Sequence, residues 1–303
     1  MTPYMDRIDF AAGFHAMIIH RQIKQLHPAL RDDIGDLQTR RPLPGPGIAH
    51  VGPFLFLNHH GPQVYPPHNR GLPFGPHPHR GFETVTFILE GELAHRDTAG
   101  HESIIRRGGV QWMTAGRGLI HAELSPEDFK RQGGALEILQ LWVNLPAKLK
   151  MTAPRYIGLQ ADAIPVLPGE DGKARLQLIA GEWHGKHGPV PSLTGVFMAV
   201  IEAKAGAHLA FAGLEGRSIF LYVVRGAIRV GGQEAGGFDL VELSETGDAL
   251  GIDASADSVL LFGHADPIDE PIVAHGPFVM NTWPEIEQAI RDYQAGRFEV
   301  PAA

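Results

Sequence analysis

Glycine and proline punctuate this chain at short intervals, 37 and 24 times in 303 residues, and the stretches between them are short apolar runs. Long helices do not survive such spacing, because glycine costs backbone entropy and proline removes an amide donor. Short strands joined by tight turns do, which points to an all-β chain of barrels or sandwiches. Strands are expected at Phe54–Leu57, Glu83–Leu89, Glu92–Asp97, Ser103–Ile105, Val110–Thr114, Leu119–Leu124 and Leu136–Leu145. After a proline-broken stretch from Ala153 to Pro168 they resume at Arg175–Ala180, Gly195–Glu202, Ser218–Val224, Ala227–Val230, Asp239–Leu243 and Ser258–Gly263. Helical signals are few. A short helix is expected at Pro126–Arg131. A clearer one starts at Thr282-Trp283-Pro284-Glu285, a capping box with proline in the first turn, and continues through Ile286, Ala289, Ile290 and Tyr293 to a stop at Gly296.

The chain also repeats itself. Glu83-Thr-Val-Thr-Phe-Ile-Leu-Glu-Gly91-Glu-Leu resembles Ser218-Ile-Phe-Leu-Tyr-Val-Val-Arg-Gly226-Ala-Ile: a buried strand, a charged residue, a turn glycine and a second strand. Two jelly-roll-like barrels therefore share the chain, and 303 residues is ample for both. The expected divisions are an N-terminal extension over residues 1–40, a first barrel over 41–150, and a second barrel with the terminal helix over 151–303.

A hydrophobic content of 44% with 20% charged residues describes an ordinary globular core. The net charge of −8 lacks the electrostatic footprint of a nucleic-acid binder. Cysteine is absent, which excludes disulfides, thiolate ligands and cysteine nucleophiles and suits a reducing cytosol. The modest apolar patch from Phe10 to Ile19 follows Asp6, Arg7 and Asp9 and is interrupted by His15, unlike a signal peptide. No apolar run approaches the ~20 residues of a bilayer span. A cytoplasmic monomer without nucleic-acid or membrane partners is the expectation.

The chemistry concentrates in Pro76-His77-Pro78-His79-Arg80-Gly81 and in His121-Ala122-Glu123. Side chains alternate along a strand, so His77 and His79 share one face, as do His121 and Glu123. Two such pairs on neighbouring strands converge inside a barrel, with Gly116-Arg117-Gly118 as the turn that delivers the second pair. Three imidazoles and a carboxylate suit a divalent first-row metal, iron(II) foremost, and leave positions for water, substrate or dioxygen. With 17 histidines, a chance His-x-His pattern is the ordinary alternative, and the prolines beside His77 and His79 suit a plain loop. His59, His60, His68 and His101 are expected at the surface or in turns. His95 is expected to be solvent-exposed, with a supporting role behind the ligands as the alternative. Glu83 reads either as a further ligand or base, or as a structural hydrogen-bond partner.

Longer motifs carry a resemblance. Pro76-His-Pro-His-Arg-Gly-Phe-Glu-Thr-Val-Thr86 leads through Leu89-Glu-Gly91 to His95-Arg-Asp97, and Gln111-Trp-Met-Thr-Ala-Gly-Arg-Gly118 leads into His121-Ala-Glu123. With Leu139-Gln-Leu-Trp-Val-Asn-Leu-Pro146 and His275-Gly-Pro-Phe-Val-Met-Asn281, they resemble the pirin family of bicupins over about Arg40 to Phe298. The resemblance implies two cupin barrels with one metal, usually iron, in the first, and its ligands fall on His77, His79, His121 and Glu123. The family commonly carries aspartate where this chain has Gly109. Taking Gly91 and Gly226 as equivalent, His77 and His79 correspond to Ala212 and Leu214, so the second barrel is expected to hold no metal, and lone His264 to be structural.

The resemblance also implies an activity: quercetin 2,3-dioxygenase-like oxidation of a flavonol, with Glu123 as the proton-accepting catalytic residue. The alternative it implies is an iron-dependent regulatory protein acting through partner proteins. A non-oxidative cupin such as an isomerase is a third reading.

Overall fold

A computed structural model describes residues 19–298. Except for its last residue, the apolar patch from Phe10 to Ile19 lies outside them. The architecture is a doubled β-sandwich with a terminal helix. Each half contributes one seven-stranded and one four-stranded antiparallel sheet. The large sheet of the first half runs in the order Arg155–Leu159, Val110–Thr114, Phe82–Glu90, Gly134–Asn144, Phe54–Tyr65, Thr39–Leu43 and Leu30–Arg31. Its small sheet runs Phe74–His79, Leu119–Leu124, Glu92–Asp97 and Glu102–Arg106. The second half repeats this plan, and Gly91 and Gly226 occupy equivalent turns at φ +83° and +87°. At both, a Cβ would collide with a neighbouring carbonyl oxygen, 2.7 Å from Ala135 and 2.3 Å from Asp257.

The two large sheets pack face to face. Phe54, Val85, Phe87, Trp112, Leu139 and Leu141 of the first meet Met198, Phe220, Tyr222, Val224 and Leu261 of the second in one buried cluster. A polar bridge crosses this core: His59 Nδ1 bonds the Tyr222 hydroxyl (2.9 Å) and Nε2 bonds Glu137 (3.0 Å), whose other oxygen pairs with Arg225 (2.7 Å). His59 and His60 are thus buried, at 0% and 2% exposure, contrary to their expected surface placement. The expected strand Phe54–Leu57 continues to Tyr65 and carries them inside, one toward each face.

The interiors of the two halves differ. Along Phe82–Glu90, Val85 and Phe87 face the other barrel while Thr84 and Thr86 face inward. The equivalent inward positions of the second barrel are Ile219 and Leu221, and with Phe197, Phe211 and Phe262 they fill it with apolar side chains. The first barrel has one apolar end, around Ile88, Leu93 and Ile138, and keeps a polar cluster inside around Thr86, Gln111 and Glu123.

Sheet membership does not follow cuts at residues 40 and 150. Ile23–Pro28 pairs with Asp239–Leu243 of the second half, and Arg155–Leu159 pairs with Val110–Thr114 of the first. Gly109 lets that last strand approach, since a Cβ there would lie 2.6 Å from Leu159 O. The helix Trp283–Gln294 has its capping box formed and returns to the first barrel. Asp292 pairs with Arg80 (2.8 Å), and Arg80 also lies over the Phe298 ring. No described helix is long and apolar enough to cross a membrane.

Candidate metal centre

His77 and His79 lie on Phe74–His79, an edge strand, where the missing amide donors of Pro76 and Pro78 are tolerated. The neighbouring strand Leu119–Leu124 sets His121 opposite His77 on one side and opposite Asp97 on the other. The turn before it needs its glycines: Gly118 has φ +123°, and a Cβ there would meet the Phe298 ring at 2.7 Å.

The three imidazoles converge. One nitrogen from each of His77, His79 and His121 lies within 4.8 Å of the others, and ring centroids stand 4.3–5.0 Å apart. His77 Nδ1 donates to Gly75 O (2.7 Å) and His79 Nδ1 to Pro277 O (3.3 Å), which leaves each Nε2 as an unprotonated donor toward the centre. His121 is 1% exposed, and neither of its ring nitrogens has a partner. Burial without a partner is costly for a polar atom, and a metal ion satisfies it. Burial, followed by the neighbouring His77, lowers the His79 pKa to about 3. Burial, followed by His79, His77 and His95, holds His121 well below its ordinary value. The His79 and His121 rings are neutral at pH 7, the state that binds metals.

Glu123 is buried beside the triad but outside that convergent group. Its carboxylate accepts from Thr86 Oγ1 (3.0 Å) and from the Gln111 and Gln140 side-chain amides. Glu83 faces the inter-barrel core with Val85, where Thr114 Oγ1 donates to it (2.6 Å), and burial pushes its pKa up. Its place on that face removes it from the ligand set. His95, expected at the surface, is 1% exposed and directed inward across from Glu123. Sequence reasoning missed Thr86, Gln111 and Gln140. Their signal is a polar residue at an inward position of an otherwise apolar strand.

Aromatic side chains wall the site. Trp142 stands edge-on to His79 at 5.4 Å, stacks on Phe56 at 4.6 Å and lies 4.4 Å from Phe82. Trp142 also lines a cavity of about 640 Å³ with Leu55, Phe56, Ile272 and Val279.

The family models agree with this architecture. The Pirin model matches residues 36–143, and the Pirin C-terminal cupin domain model matches residues 198–299. The chain belongs to the pirin family. This pirin is 41% identical over 249 residues to a Pseudomonas aeruginosa protein named "Putative quercetin 2,3-dioxygenase", spanning 82% of this chain and 87% of that one. A crystal structure titled quercetin 2,3-dioxygenase, from Acinetobacter baumannii, superposes with TM-score 0.86 at 33% identity, covering 92% of this chain and 98% of that one. The bacterial pirin YhhW of Escherichia coli, solved in complex with nickel(II), shares the fold at TM-score 0.64 and 21% identity, over 80% and 99%.

Proposed function

We propose that this pirin is a metal-dependent dioxygenase that cleaves a flavonol such as quercetin. The observation that carries the reading is the convergent histidine triad, in which buried His121 has no partner for either ring nitrogen. Similarity to proteins named for that activity supports it. His77, His79 and His121 would hold one divalent first-row ion, a class that imidazole donors suit, with iron(II) favoured by the family resemblance and Glu123 as fourth ligand. A bound ion supplies Lewis acidity toward the flavonol hydroxyl and access to dioxygen chemistry.

The chain's own residues do the rest. Three donors fix the Glu123 carboxylate and leave it one free lone pair, which would serve the ion at rest and, once Glu123 loosens from it, accept the hydroxyl proton. Phe56 and Trp142 offer an apolar wall to an aromatic ligand, and fully buried Phe82 packs behind them against His79. Cleavage of the flavonol with one dioxygen releases carbon monoxide and a depside.

The test is oxygen uptake with loss of flavonol absorbance, on protein loaded anaerobically with iron(II) and mixed with quercetin and then oxygen. The parent should consume oxygen and His79→Ala should not. Equal rates would refute a metal-centred reaction. Metal binding without any flavonol turnover would favour the partner-binding regulator.

A further inference from the structure

Each of two ligand histidines has a backbone carbonyl behind it, Gly75 O for His77 and Pro277 O for His79. His121 has none. Whichever of its nitrogens meets the metal, the other carries a proton into a buried place with no acceptor assigned to it. Behind the ring of His121 lies that of His95, whose Nδ1 is also buried and unpartnered. Two orphaned groups side by side in one core satisfy each other if one donates and the other accepts.

The roles are fixed from the outer end. His95 Nε2 bonds the Asp97 carboxylate at 3.0 Å, so it carries the proton, and Nδ1 is left with a lone pair. Asp97 is in turn held by the backbone N–H (3.0 Å) and Nδ1 (3.0 Å) of His101. The His95 ring is held by Tyr156, stacked on it at 4.0 Å and 14°. The centroids of His95 and His121 are 5.5 Å apart. Two imidazoles joined by an N–H···N bond of about 2.9 Å, each adding roughly 1.2 Å from ring centre to nitrogen, stand about 5.3 Å apart. The observed separation is compatible with such a bond, which forms when the rings turn nitrogen to nitrogen.

We propose that His95 and Asp97 form the rear support of the metal centre, a relay in which His121 gives one nitrogen to the metal and donates its other N–H to His95 Nδ1, while His95 donates to Asp97. The proposal rests on the reading of His77, His79 and His121 as ligands. The relay fixes the tautomer and ring plane of His121 and makes it a stronger donor. Partners of this kind are worth 10–100-fold in metal affinity. His95 and Asp97 are positioning residues and touch no substrate in this role.

Cobalt(II) serves as the probe, titrated in competition with a chelator while its visible bands are followed. Variants are His95→Phe, which keeps the ring stacked on Tyr156 but removes both nitrogens, His95→Asn, which returns an acceptor near Nδ1, and Asp97→Asn. The expected result is a 10–100-fold loss of cobalt affinity in His95→Phe, a smaller loss in Asp97→Asn, altered bands in both, and substantial recovery in His95→Asn. Metal-free His95→Phe will melt lower, because buried Asp97 loses a donor, so the cobalt bands and the recovery in His95→Asn are what separate this from a packing role. His95→Phe binding cobalt as tightly as the parent, with the same bands, would overturn the relay while leaving the triad intact. If His95→Phe does not fold, an unchanged affinity in Asp97→Asn overturns it instead. A parent that binds no cobalt overturns the ligand reading itself.

Discussion

Lys150 offers a quantitative test of how the C-terminal segment is fastened to the strand that carries His79. Its side chain is 1% exposed, and its ammonium donates to Gly81 O (2.9 Å), Asn144 Oδ1 (2.7 Å) and Val279 O (3.1 Å). Two of these acceptors join the two segments: Gly81 follows His79 by two residues, and Val279 follows Pro277, the partner of His79, by two. All three protons are used, yet no carboxylate touches the charge. Burial therefore lowers its pKa from 10.5 to about 8, with Glu270 and Glu285 opposing only in part.

The folded-state value lies below the unfolded one, so between about pH 8 and 10.5 the unfolded chain holds the extra proton and stability rises with pH. At about 1.36 kcal/mol per pKa unit the full effect is about 3 kcal/mol, most of it realised between pH 7 and 10. Lys150→Met keeps the aliphatic stem and removes the titration. The acceptors it orphans cost the same at every pH and drop out of the slope. Urea unfolding of metal-free parent and variant at pH 7, 8.5 and 10 measures the difference. The parent should gain roughly 2 to 3 kcal/mol on the variant across that range. A difference constant with pH would refute the buried-ammonium argument.

The inter-barrel bridge predicts that Tyr222→Phe costs about 1–3 kcal/mol in urea unfolding, because His59 Nδ1 loses its hydroxyl partner inside the core. Gly81→Ala should destabilise by more than about 2 kcal/mol and make the C-terminal segment an early proteolysis site, since its Cβ would lie 2.0 Å from Val279 O at φ +90°. Burial lowers the His60 pKa to about 3, so the stability tied to its neutral ring is complete above about pH 6.5 and is lost as pH falls toward 3. His60→Asn should flatten the acid-unfolding slope of the metal-free protein, followed by circular dichroism, by up to about 1.4 kcal/mol per pH unit.

The sequence disclosed elements whose own residues specify them. Glu92–Asp97, Val110–Thr114, Leu119–Leu124 and Asp239–Leu243 form as their alternation suggests, and the capping box at Thr282 forms as its four residues require. Strands at the sheet margins stayed hidden. Ile23–Pro28 and Thr39–Leu43 are rich in polar residues and proline, and only long-range pairing makes them strands. The convergence of His77, His79 and His121 was legible because two extended pairs on adjacent strands must share a face. The burial of His59 and His95 was not, because it depends on partners far along the chain or on the opposing sheet. Tyr222 stands against His59, and Tyr156 stacks on His95. Glu83 shows the same limit. Its residue type suits a ligand, but its odd register with Thr84 and Thr86 turns it toward the other barrel.

The central claim is that one metal ion sits among His77, His79 and His121 in the first barrel. It is tested most directly by metal stoichiometry on protein purified without a histidine tag or chelating resin and reconstituted with iron(II), beside His121→Ala handled identically. The account predicts close to one iron per chain in the parent and only traces in the variant. Traces alone in the parent, or equal metal in both, would contradict it.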